Sequence, residues 1–173
     1  MNPLDSLEAL QVRLRALEDA DAIRSLKARY FACCDMKDPQ GMRECFAAGP
    51  VRIDYGAIGV FDDRDALVAV FERLGCHSHI VEMHHGVNPQ IEVLDDTHAR
   101  GTWGLHYQRL DTRERAFTQL GAYYEDEYRK IDGKWRIAAT RCVVTSTLVG
   151  SYAEASPVVR FAGRPESAPL ANT

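Results

Sequence analysis

The chain has 173 residues, 46% hydrophobic and 27% charged, with a formal net charge of −4. That length suits one domain with its own core. The acidic balance argues against a nucleic-acid binder, which needs a basic face, and no apolar run approaches the roughly 20 residues of a membrane span.

The N-terminal stretch has neither the basic nor the apolar region of a signal peptide, so the expected compartment is the cytoplasm. Leu7, Leu10, Leu14 and Leu17 recur at spacings of three and four, which predicts one helix face. Ile23, Leu26, Tyr30 and Cys34 are read as its continuation. Asp38-Pro39 predicts a stop and a restart, with Asp38 as cap and Pro39 in the first turn. "VRIDYG" reads as a strand with Val51, Ile53 and Tyr55 on one face. An amphipathic helix is predicted from Asp62 or Asp63 to Gly75.

Beyond Gly75 the period changes from helical to alternating. "HIVEMHHGV", "PQIEVL", "HARGTWGLHYQRL", "RAFTQLGAYYEDEYRKI" and "KWRIAATRCVVTSTLV" are predicted strands. Asn88-Pro89, Asp95-Asp96, Asp111 to Glu114 and Asp132-Gly133 are the turn signals between them. Helices followed by a meander give an α+β class, with helices packed on one side of a strongly curved sheet. Residues 1–149 form the predicted domain. Residues 150–173 are a proline-containing tail, read as docking through Val158, Val159 and Phe161 over a pocket or an interface.

The five cysteines (33, 34, 45, 76 and 142) show no framework and are read as reduced thiols. Cys76, His77, His79, His84 and His85 lack regular metal-ligand spacing, so no metal is assigned. Glycine-rich phosphate loops are absent, so no nucleotide cofactor is assigned. Asp35 lies in the last turn of its helix, where a carboxylate opposes the helix dipole unless a partner compensates. Alternation in "IVEMHHGV" groups His85 with Val81, Met83 and Val87, and leaves His84 on the other face. His106 likewise lies opposite Trp103, Leu105 and Tyr107. Two readings compete: His84 and His106 both point to solvent, or their face lines the interior while the apolar face packs against another subunit. The second is the expectation, with His85 as the alternative to His84. Arg141 is read as clamping a carboxylate or pairing with Asp126.

The order of these elements, closing on "YRKIDGKWRIA", resembles the nuclear-transport-factor-two-like superfamily over residues 18 to 147. Within it the chain is similar to the SnoaL-like branch that includes scytalone dehydratase and bile-acid 7α-dehydratase. The resemblance implies a cone-shaped barrel around a deep apolar pocket, and enzymes that need no cofactor. It implies an Asp–His dyad of Asp35, in "YFACCDMKD", and His84, four residues before Asn88. It also implies catalytic roles for Tyr55 in "RIDYG", His106 in "WGLHYQRL" and Tyr30, although Tyr30 also fits core packing. Cys34 stands where scytalone dehydratase has a second tyrosine, and Ala122 and Tyr124 replace its serine and asparagine. Cys34, Tyr124, Arg141 and His85 are therefore candidate substrate contacts on a substrate other than scytalone.

The implied function is a lyase or isomerase that removes a proton next to a carbonyl of a small apolar oxygenated molecule. A dehydrohalogenase or polyketide cyclase would use the same pair. The alternative is a non-catalytic module, such as a ligand binder or the β subunit of an aromatic-ring dioxygenase. The resemblance further implies a homo-oligomer, a trimer rather than a dimer.

Overall fold

The computed structural model describes residues 7–153, so the tail contacts expected of Val158, Val159 and Phe161 lie outside the described residues. Three helices precede and interleave with six strands: α1 (Leu7–Asp35), α2 (Pro39–Cys45), β1 (Arg52–Asp54), β2 (Val60–Phe61), α3 (Arg64–Leu74), β3 (Ile80–Val93), β4 (His98–Asp111), β5 (Ala116–Ile131) and β6 (Lys134–Ser151). The strands form one mixed sheet in the order β2-β1-β6-β5-β4-β3. It is strongly curved but open, not a closed barrel. β1 runs parallel to β6 and every other pairing is antiparallel.

The local signals act as their chemistry dictates. The Asp38 carboxylate accepts from the Gly41 N–H and caps α2, with Pro39 opening that helix. Asp63 caps α3 through the Asp65 N–H, and Gly75 ends it. At Asp132-Gly133 both residues have positive φ, 49° and 72°, as a tight hairpin of this type requires.

Two expectations are corrected. Asn88-Pro89 does not separate two strands. Asn88 takes a φ of 51° inside β3, and the register with β4 shifts between Val87 and Gln90, so the pair makes a bulge in one long strand. The leucines of α1 are not the beginning of its buried face. Ile23, Leu26, Tyr30 and Cys34 are buried, whereas Leu7, Leu10, Leu14 and Leu17 are exposed.

β5 and β6 also shift register at Gly121/Ala122 and Glu127/Tyr128. Such bulges add twist and let strands of 16 and 18 residues bend around the helices. The core lies between α1, α2 and the inner sheet face, around Ile23, Phe46, Ile53, Tyr128 and Ile137.

Candidate active site

The antiparallel register decides which histidine faces inward. His84 stands directly opposite Tyr107, and His85 opposite His106. Directly opposed residues share a face. On β4 the buried residues are Ala99, Gly101, Trp103, Leu105 and Asp111, so the odd-numbered positions, Tyr107 included, face the core. His84 is therefore inside, while His85 and His106 are exposed on the outer face. The expectation that His84 and His106 share a face does not hold, because one strand's even residues meet the other's odd ones. Tyr107 takes the inner position expected of His106.

Asp35 supplies the partner that its helix-end position demanded. Its Oδ1 lies 2.6 Å from His84 Nδ1. The His84 backbone N–H donates to both carboxylate oxygens, each at 3.1 Å. One carboxylate thus fixes both the strand and the ring of His84, two elements 49 residues apart in sequence. A carboxylate that accepts from the ring holds the proton on Nδ1, which leaves Nε2 as the basic nitrogen. The imidazole lies between the Phe31 ring, stacked at 5.9 Å, and the Tyr107 ring at 4.7 Å. Gly86, on the same inner face, makes room for this arrangement, since a Cβ there would stand 2.3 Å from Phe31 Cε2.

A second group lies deeper. Tyr30 and Tyr55 share a hydrogen bond between their hydroxyls of 2.8 Å. Two phenols joined in this way keep one hydrogen free to donate. Tyr124 packs edge-on against Tyr55 and tilted against Phe31, so Phe31 and Tyr124 link the tyrosines to His84. Burial holds the hydroxyls of Tyr30, Tyr55 and Tyr124 well above the ordinary phenol range. It also raises the enclosed Cys34 thiol, so that side chain is a neutral wall rather than a nucleophile.

Polar residues that the sequence reading did not place in the site complete the interior. Tyr107 donates to Glu82 Oε1 at 2.7 Å, and Glu82 is the inner-face residue two before His84. Burial and the Glu82 carboxylate both raise the Tyr107 phenol. Lys27 is fully enclosed, with its Nζ 2.7 Å from Asp126 Oδ2 and 3.7 Å from the centre of the Tyr124 ring. The contact is an ion pair without well-directed hydrogen-bond geometry. Burial lowers the Lys27 ammonium, and Asp126 opposes that shift. Asp126 also accepts from Tyr128 and Thr140, each at 2.6 Å. Alternation in "YYEDEYRK" marks Asp126 as an inward residue between Tyr124 and Tyr128. That was the available signal, and a lysine on the buried stripe of α1 was its complement.

Arg141 is corrected on the same ground. It lies on the outer face, 3.4 Å from Glu125 and 3.8 Å from Asp54, while Asp126 belongs to Lys27. Arg141 helps line an open, charged groove of about 730 Å³ that crosses the outer face of the sheet. None of Asp35, His84, Tyr30 or Tyr55 touches that groove. Among the described residues, no group of three or more His, Cys, Asp or Glu side chains is disposed to hold a metal ion.

The SnoaL-like domain model matches residues 15–141. The chain belongs to the SnoaL-like family. Solved structures share its fold. One is a provisionally named scytalone dehydratase from Novosphingobium aromaticivorans, 24% identical, with a TM-score of 0.70 over 88% of this chain and 96% of that one. A second is the hexachlorocyclohexane dehydrochlorinase LinA-type3 from Novosphingobium barchaimii, 15% identical, with a TM-score of 0.72 over 84% and 99%. A third is a nuclear-transport-factor-two-like protein with a cystatin-like fold from N. aromaticivorans, 20% identical, with a TM-score of 0.69 over 83% and 92%. At these identities the likeness concerns the fold. No helix among the described residues of this SnoaL-like protein is long and apolar enough to cross a membrane.

Proposed function

We propose that this SnoaL-like protein is a lyase that eliminates a leaving group next to an acidified C–H, with His84 as base and Asp35 as its orienting partner. The observation that carries the proposal is the 2.6 Å contact between Asp35 Oδ1 and His84 Nδ1. A side chain buried against Phe31 and Tyr107 needs no such carboxylate to pack. A base that must hold one tautomer and stabilise its own imidazolium does. The names of two structural neighbours, a dehydratase and a dehydrochlorinase, fit the same reaction class.

In a β-hydroxy carbonyl compound, His84 Nε2 takes the proton on the carbon next to the carbonyl. The electron pair moves into the carbonyl, and the free hydrogen of the Tyr30–Tyr55 pair stabilises the enolate oxygen. An oriented donor in a site of low dielectric is worth about 2.7–4 kcal/mol. The C–O bond then breaks, and the departing oxygen takes the proton back from His84 Nε2 and leaves as water. Tyr124 and Cys34 supply apolar wall to the substrate, and no step calls for a cofactor. A halide leaving group would need no proton, so the same residues would suffice for it.

The test is a panel of β-hydroxy ketones followed by absorbance of the product enone. Turnover by the wild-type chain, lost in Asp35→Asn and His84→Ala while the circular dichroism spectrum is retained, supports the proposal. Equal turnover in all three proteins would falsify it.

A further inference from the structure

We infer that the N-terminal half of α1 is a pairing surface that binds the same segment of a second copy of this chain in parallel. At 100° per residue, the buried residues of the second half of the helix centre about 160° from the line through Leu7, Leu10, Leu14 and Leu17. The leucine line thus points away from the side on which this domain sits. Its side chains are 72%, 49%, 56% and 68% exposed. The first residue of α1 whose side chain bonds the sheet, among the described residues, is Asp19, which meets Trp135 Nε1 at 2.9 Å and Lys130 Nζ at 2.5 Å. The twelve residues before it form about 18 Å of helix beyond that anchor. Four leucines in line on an overhanging helix, facing away from their own core, need a partner outside the fold.

The charges select the partner. With Leu7 and Leu14 at the first core position of a heptad and Leu10 and Leu17 at the second, Arg13 and Glu18 fall on the two flanking positions. In a parallel pair, Arg13 of one helix reaches Glu18 of the other, five residues on, and symmetry makes the contact twice. In an antiparallel pair the two Arg13 side chains meet each other instead. An isolated segment this short would not hold a helix, but here the folded half of α1 has already nucleated it. Because the domain lies on the far side of the helix, two domains flank a parallel pair without colliding.

Sedimentation equilibrium of the full chain over a range of concentrations tests this. The wild-type assembly should be larger than that of Leu10→Glu/Leu14→Glu, and of twice its mass where the helix pair is the sole contact between copies, with both proteins showing the same circular dichroism. Arg13→Glu should weaken self-association severalfold, and Arg13→Glu/Glu18→Arg should restore it. Equal masses for wild type and the leucine variant would overturn the proposal. A leucine effect without any charge effect would overturn the parallel arrangement. Wild-type binding to phosphatidylglycerol/phosphatidylcholine vesicles, lost in the leucine variant at unchanged mass, would overturn it in favour of a lipid surface.

Discussion

The two faces of the β3–β4 pair carry histidines of opposite kinds. On the inner face His84 is gripped by Asp35 and flanked by Phe31 and Tyr107. On the outer face His85 and His106 stand opposite one another in solvent. The residue type is the same and the strands are the same. What differs is the company: a carboxylate and two rings on one side, water on the other. A histidine is functionally informative here through what holds it, not through its presence in a motif.

The sharpest way to break that comparison is to remove each histidine in turn. His84→Ala and Asp35→Asn should each cost about 10²–10⁴-fold in the proposed elimination, the usual weight of a positioned acid–base group. His85→Ala and His106→Ala should leave the rate within twofold. Loss of activity in either outer variant would move the site to the other face.

Next comes the buried ion pair. Lys27→Met strands Asp126 without its cation, and urea denaturation should show a loss of about 3–5 kcal/mol. Lys27→Met/Asp126→Leu should recover part of that loss, because no buried charge remains. Nothing comparable is expected from Arg141→Ala on the outer face. Its ion pairs are solvent-exposed, and its effect should stay within about 0.5 kcal/mol.

The buried phenols predict an alkaline limit. Tyr30, Tyr124 and Tyr128 are 3%, 4% and 1% exposed, and burial raises each hydroxyl well above 10.0. A raised pKa in the folded state means that the native protein keeps protons the unfolded chain releases. Their contribution is therefore fully present below pH 10 and declines as pH rises above it, by about 1.4 kcal/mol per phenol per pH unit. Absorbance at the tyrosinate band should show these phenols ionising together with unfolding. Their ionisation in a chain that remains folded would contradict the packing described above.

A smaller effect sharpens the inner face itself. Tyr107→Phe leaves Glu82 Oε1 without its donor, and Oε2 already lacks a partner among the described residues. The cost should be about 1–3 kcal/mol in thermal or urea unfolding. Glu82→Gln/Tyr107→Phe should narrow the deficit if the unpaired charge is its source.

Much of the architecture was legible in the sequence, because it rests on local chemistry. Asp38-Pro39, Asp63 and Gly75 bound helices through hydrogen bonds made within a few residues. Asp132-Gly133 turns a hairpin by its own backbone preference. The alternation after Gly75 required a sheet. The pairing of Asp35 with His84 was legible only through resemblance, since periodicity alone grouped His85 with the hydrophobic residues. Three things were decided by tertiary structure. The cross-strand register put His84 opposite Tyr107 and sent His106 outward, because facing depends on which residue of the neighbouring strand stands opposite. The partner of Asp126 came from a helix 99 positions earlier, Lys27 rather than Arg141. And the leucines of α1 are left exposed, because α1 starts well before the sheet that buries its second half; that they lie about 160° around the helix from its buried residues is helix geometry, legible in their spacing. Sequence specifies which side chains share a strand or helix face; only packing decides what that face meets.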